Sequence, residues 1–204
     1  MTSPDRATVQ VYGVRAEADI AVARLAADGI DAVVYQDDEG GLNPGFFRRY
    51  GVRVEVDACD LVDAMSSLGI ERVRIHGEMA VGMLQHANWA YPDEACGLVA
   101  FDAANQPSFL FCLTNAEASD RRFLITPVEF HGALTLAESM GMSIGGVFHS
   151  HVRSEAFPSR TDIDMRPDRR WLHFIVGPVS GLPVLRGFRI VDGLVTEVSL
   201  VVEA

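Results

Sequence analysis

His149-Ser150-His151, a seven-residue spacer, and then Ser159-Arg160-Thr161-Asp162 form the stretch on which the reading of this chain turns. Two imidazoles one residue apart and a carboxylate supply the N and O donors that catalytic zinc takes, usually three from protein with a fourth position left to water. Side chains of an extended segment repeat every second residue, so His149 and His151 point the same way if that segment is a strand. The preceding Ser143-Ile144-Gly145-Gly146-Val147-Phe148 is small and apolar and reads as a buried strand running straight into His149. Both rings then emerge on one face at a strand end. Asp162 completes a metal triad from the far side of a loop, near the start of a short helical stretch. One Zn2+ per chain in such a triad lowers the pKa of water to about 7. Upstream, Tyr91-Pro92-Asp93-Glu94-Ala95-Cys96-Gly97 offers a further carboxylate, Glu94.

Each part of this pattern has a plainer reading when taken alone. His-x-His is common at strand ends, and Ser-x-x-Asp also serves as a helix cap. Joined at this spacing behind a buried strand, they read as a metal site. His76, His86, His131 and His173 have no partners at ligand spacing and are assigned to surface or core. The nucleobase deaminases carry a downstream Pro-Cys-x-x-Cys, which is absent here. Cys59, Cys96 and Cys112 are spaced for neither a zinc knuckle nor a redox Cys-x-x-Cys motif. Cys96 reads as a small buried hydrophobe, although alternation would put it on one strand face with Glu94.

The pattern resembles the signature of the JAMM/MPN zinc metalloproteases, a distant Glu followed by H-x-H-x7-S-x2-D. The flanking segments Pro92–Gly97, Ser154–Asp162 and Phe188-Arg189-Ile190-Val191-Asp192-Gly193 are similar to its prokaryotic Mec-like branch. The resemblance covers nearly all of residues 72–204. It implies a cytidine deaminase-like α+β fold, with Glu94 as the proton shuttle and Ser159 as a hydrogen-bond donor to the oxyanion. It also implies a partner, a ubiquitin-like sulfur-carrier protein cut after its C-terminal Gly-Gly to release cysteine or a short extension. An isopeptidase that removes a ubiquitin-like modifier from protein lysines is the alternative. Arg121, Arg122 and Arg153 could hold a carboxylate or an acidic carrier face, or could be plain surface.

With 204 residues, 49% of them hydrophobic, the chain can bury one moderate core or two small ones. A net charge of −11 and a pI near 4.9 argue against nucleic acid and anionic membranes as partners. All 17 basic residues are Arg. Three cysteines imply no disulfide framework and a reducing compartment. With no signal-like or membrane-spanning apolar run, a cytoplasmic location is expected.

Residues 1–70 read as a separate small α+β domain of ferredoxin-like β-α-β-β-α order, with a regulatory or targeting role and no catalytic constellation of its own. Its expected elements are strands at 9–14, 30–35 and 52–56, a helix from Ala16 to Asp28 stopped by Gly29, and a helix at 58–68 capped by Asp57 and closed by Gly69. A loop from Asp37 to Tyr50 separates the second and third strands, and its Asp37-Asp38-Glu39 reads as solvated. This part is absent from the minimal Mec-type pattern. Residues 71–204 are the expected catalytic domain. Thr126-Pro127-Val128-Glu129 there is a capping box with Pro at its first helical position, and Asp192-Gly193 signals a hairpin.

Overall fold

The computed structural model describes residues 6–36, 52–164, 168 and 170–203. The chain divides into two compact units, Met1–Glu71 and Arg72–Ala204.

In the first unit the strands are β1 (Arg6–Tyr12), β2 (Ala32–Gln36) and β3 (Val52–Asp57), and the helices are α1 (Arg15–Ala27) and α2 (Leu61–Ser67). The sheet order is β1-β3-β2, with β3 antiparallel to both neighbours. A strand inserted between the two strands joined by α1 is a split β-α-β arrangement. Ala18, Ala21 and Leu25 lie at helical spacing on the buried side of α1 and pack on Val9, Val52, Val54 and Val56.

Three boundaries differ from the expectations. β1 begins and ends earlier than 9–14, because Gly13 and Val14 turn the chain into α1. Ile30 closes α1 instead of opening β2. Its N–H donates to Leu25 O and that of Gly29, at φ +80°, to Ala26 O, a Schellman pair. Asp57 makes no side-chain cap. Residues Ala58–Asp60 form a 3-10 turn, and α2 starts only at Leu61. Asp37, Asp38 and Glu39, with the loop that holds them, lie outside the described residues.

The second unit is a seven-stranded sheet between helices. It contains β4 (Arg72–His76), α3 (Gly77–Ala90), β5 (Cys96–Phe101), β6 (Pro107–Leu113), α4 (Pro127–Ser139), β7 (Ser143–Ser150), α5 (Arg160–Asp164), β8 (Leu172–Gly177), β9 (Val184–Val191) and β10 (Leu194–Glu203). The order is β4-β10-β9-β8-β7-β5-β6. β4–β10 and β7–β8 are parallel and the remaining pairs antiparallel. Among the described residues the first sheet has three strands, and a complete ferredoxin-like order would add a fourth. β4 pairs with β10, within the second unit.

β5 and β8 are buried at every position, which explains their unbroken apolar runs: both faces of the sheet are covered. Met79, Met83 and Ala87 of α3 pack on Val99, Phe101, Phe148 and Phe174 from one side. Ala133 and Ala137 of α4 pack on Leu98, Ala100 and Phe111 from the other. Burying each such phenylalanine contributes about 1.5–3 kcal/mol. Thr126 caps α4 as expected, accepting from the Glu129 N–H at 3.2 Å. Asp192 and Gly193 both have positive φ, the backbone of a two-residue hairpin turn between β9 and β10. No helix among the described residues is long and apolar enough to cross a membrane.

Candidate active site

β7 ends where the chemistry begins. His149 is its penultimate residue, and His151 lies one position past its end. Parallel pairing with β8 continues briefly beyond the strand: the His151 N–H donates to Val176 O at 2.7 Å, and His151 O accepts from Val179 N at 3.0 Å. The alternation of an extended chain then brings the two Nε2 atoms to 3.1 Å. Asp162 sits in the first turn of α5, with Oδ2 3.5 Å from His149 Nε2 and 3.6 Å from His151 Nε2. All three side chains are buried, at 1%, 4% and 5% exposure.

Ligands held at about 2.0–2.2 Å by a tetrahedral zinc lie about 3.3–3.6 Å apart. The two N–O separations match, and the N–N separation is slightly shorter. The donor set fits as well. His151 Nδ1 donates to Glu155 O at 2.8 Å, which leaves Nε2 with its lone pair directed at the cluster. Two imidazoles and a carboxylate gathered out of water are a donor set that a divalent cation would satisfy. Burial lowers the pKa of His149. Burial also opposes charge on His151, but hydrogen bonding to Asp162 and to Glu155 outweighs it and leaves that pKa raised. Asp162, despite burial, is held well below the usual carboxylate range by the two histidines and Ser159.

Ser-x-x-Asp caps a helix and places Asp162 beside the histidines at once. Ser159 donates to Asp162 Oδ2 from its N–H at 2.7 Å and from Oγ at 2.6 Å, and Oγ accepts from Asp162 N at 3.3 Å. That reciprocal box starts α5, and it also aims the Asp162 carboxylate at the histidines.

Glu94 lies just before β5 and is not one of the triad, yet it is 5% exposed and lines the same cleft of about 290 Å³. Its carboxyl is pushed up to about 7. Burial is the main cause, attraction to His151 opposes it, and the carboxylates of Asp162 and Asp120 add to it. Cys96 opens β5 in register with His149, but its thiol is buried, sits 3.8 Å from Leu113 O and is pushed up to about 12. It is a buried hydrophobe and does not line the cleft; Glu94 precedes the strand, so alternation does not govern it.

The raised Glu94 pKa makes a prediction for metal-free protein. A carboxyl whose folded pKa exceeds its unfolded value stabilises fully below the unfolded value and loses that stability as pH rises through the folded one. Glu94→Gln should therefore be more stable than wild type at pH 8, on the order of 2 kcal/mol, and much less so at pH 5. Urea unfolding with chelator present measures the difference. An equal gap at both pH values would mean that the carboxyl is not raised.

Several contributors carried no sequence signal. Ser150, between the two histidines, faces away from them, and its Oγ accepts from Ala95 N at 2.8 Å. Asn115 Nδ2 donates to Glu94 O at 3.0 Å and to Arg122 O at 2.9 Å, while Glu94 N donates to Ser119 O at 2.8 Å. Phe123 stacks on His149 at 4.8 Å. His173, read as surface or core, is buried in the core, but it lies beside the triad. Burial and His149 lower its pKa to about 4, and it shares an apolar cleft of about 220 Å³ with His149, Phe123, Phe130 and Trp171. Among the described residues, neither His149 Nδ1 nor His173 Nε2 has a hydrogen-bond partner. Arg121 and Arg153 line the cleft of Glu94, whereas Arg122 pairs with Glu117 at 3.2 Å.

Gly177 shows how tightly this corner is built. A Cβ there would lie 2.7 Å from Ser154 O, 3.1 Å from Ala156 N and 3.1 Å from His151 Cβ. Two of those atoms are backbone and cannot swing aside. Gly177→Ala should cost about 1–3 kcal/mol in stability and weaken metal binding by shifting residues 151–156. Thermal unfolding and chelator competition measure both, and an unchanged pair would show that the corner is loose.

Residues 77–191 match the family described as prokaryotic homologs of the JAB domain. The chain belongs to that family. A peptidase of Mycobacterium tuberculosis named CysO-cysteine peptidase is 33% identical over 128 residues, covering 60% of this chain and 86% of the relative. A solution structure of a Desulfitobacterium hafniense protein aligns with TM-score 0.59 and 27% identity, over 64% of this chain and 92% of that one. A Salinibacter ruber protein, 24% identical with TM-score 0.52 over 64% of this chain and 91% of its own, shares the fold.

Proposed function

We propose that residues 72–204 form a zinc-dependent metallopeptidase that hydrolyses the bond after the C-terminal Gly-Gly of a ubiquitin-like sulfur-carrier protein, releasing cysteine or a short extension. The observation that carries this reading is the approach of two imidazole nitrogens and one carboxylate oxygen to 3.1–3.6 Å in a buried cluster, with Glu94 beside it. Family membership supports the reaction class. The name of the mycobacterial relative supports the substrate.

Zinc held by His149, His151 and Asp162 would supply a Lewis acid and make water a nucleophile near neutral pH. Glu94 is the proton carrier. A carboxyl poised near neutrality can take a proton from the attacking water and return it to the departing amine. Ser159 is assigned to the oxyanion. Its hydroxyl orients Asp162 until it turns to the substrate oxygen, where such a donor contributes a few kcal/mol. A Gly-Gly tail suits a recessed cluster because only glycine brings backbone close without a Cβ collision.

The direct test is intact-mass spectrometry of a carrier ending in Gly-Gly-Cys, which should lose the mass of its cysteine on incubation with zinc-loaded protein. If carriers with cysteine or longer extensions stay intact while a modifier is cut from a lysine side chain, the isopeptidase reading replaces this one. Residues 1–71, which hold none of these groups, are assigned a regulatory or targeting role. A fragment of residues 72–204 should fold alone, bind zinc and cleave a short Gly-Gly peptide. An insoluble or metal-free fragment would place the boundary elsewhere.

A further inference from the structure

We infer that Arg121 and Arg153 form a carboxylate-binding rim that selects a leaving group with a free α-carboxylate, so that the site favours release of a single C-terminal amino acid. The inference rests on the proposed release of cysteine and specifies which groups recognise it.

The cleft is polarised. Its inner wall carries Glu94 and Asp162, each 5% exposed, while Arg121 and Arg153 stand at the outer end with side chains 81% and 76% exposed. Asp120 lies between the guanidinium groups, 3.9 Å from Arg121 Nε and 3.4 Å from an Arg153 nitrogen. Those contacts are single and long. Arg186 and Glu197 show what a closed pair looks like in this protein, with two parallel hydrogen bonds of 2.7 and 2.6 Å. A guanidinium has five N–H donors in a fork that matches a carboxylate, and one loose contact leaves room for a second acceptor.

The arginines are exposed, but the backbone that carries them is fixed to the chemistry. The 115–124 loop, which holds Asp120 and Arg121, is tied by Asn115 and Ser119 to the main chain of Glu94 itself. Arg153 follows His151 by two residues, and the segment between them is held by Val179 N to His151 O and Ser180 N to Val152 O. The backbone of each arginine is therefore anchored beside a site residue, and its guanidinium is free to turn toward the cleft.

Hydrolysis adds the hydroxyl of water to the glycine carbonyl carbon and its proton to the departing nitrogen as the C–N bond breaks. The products are a glycine carboxylate and an amino acid whose amine faces Glu94 and whose own carboxylate faces the rim. Acid within and guanidinium without is the complement of that zwitterion. A lysine isopeptide presents no carboxylate next to the scissile nitrogen and gains nothing from the rim.

The test uses full-length zinc-loaded protein and two carriers, one ending in Gly-Gly-Cys with a free carboxylate and one ending in the same cysteine as a carboxamide. Wild type should cleave the acid with kcat/KM about tenfold or more above the amide, the scale of one charge-assisted hydrogen bond. The Arg121→Ala/Arg153→Ala variant, with zinc content unchanged, should lose that preference by slowing on the acid alone. Arg121→Lys/Arg153→Lys should restore part of it. Cysteine should inhibit wild type as a product better than cysteamine, which lacks the carboxylate. Equal cleavage of acid and amide by wild type, or a preference that survives the double alanine variant, would overturn the rim. Failure to cleave either carrier, with activity on a lysine isopeptide, would instead remove the proposed substrate and the rim with it.

Discussion

Replacing His149 and His151 together by alanine is expected to take bound zinc from one ion per chain to none detectable by elemental analysis of purified protein. The substitution removes two of three donors and leaves a single carboxylate, a combination too poor to hold zinc against water. His149 is wholly enclosed, so a loss of metal must be separated from a loss of fold. Asp162→Asn provides that separation. It keeps the shape of the side chain, and its carbonyl can still accept from Ser159, but it withdraws the negative charge. That variant should fold with native circular dichroism and bind zinc at least tenfold more weakly in chelator competition. Stoichiometric zinc surviving in the double alanine variant would put the metal elsewhere.

Glu94→Gln should lower turnover by about 10²–10⁴-fold, the range assigned to a positioned acid–base group, while zinc content stays at the wild-type level. Glutamine fills the same space and can take no proton. The split between intact metal binding and lost turnover is the signature, because Glu94 lies outside the ligand cluster. The sign of the pH dependence also follows. The carboxyl titrates near 7 through burial and neighbouring carboxylates, and a dication beside it pulls that value down. The acidic limb of kcat/KM in the zinc enzyme should therefore lie below 7 and vanish in the glutamine variant. Near-wild-type hydrolysis by Glu94→Gln would end its assignment as proton carrier.

The convergence of His149, His151 and Asp162 was legible because its geometry is local. Alternation along one strand fixes the direction of His149 and His151, and a short helix start fixes Asp162; neither needs knowledge of distant partners. The same holds for the Thr126 cap, the Asp192-Gly193 turn and the doubly buried strands β5 and β8. What escaped depends on contacts between segments far apart in the chain. His173 comes beside His149 only because β7 and β8 run parallel with Val147 opposite His173. Asn115 reaches Glu94 only because a loop folds back over the start of β5. Asp57 looked like a cap on spacing alone, but the chain makes a 3-10 turn there, and its carboxylate lies 3.6 Å from Arg6 across the sheet.

Ser150 carries a mechanical consequence. Its hydroxyl accepts from Ala95 N, while its own N–H donates to Ala95 O at 3.0 Å. The residue between His149 and His151 is thus buttoned twice to the residue after Glu94. Strand breathing that slides His149 and His151 drags Glu94 along with them. The spacing between carboxylate and ligands is kept by shared attachment, and it survives motions that would scatter a site assembled from independent loops.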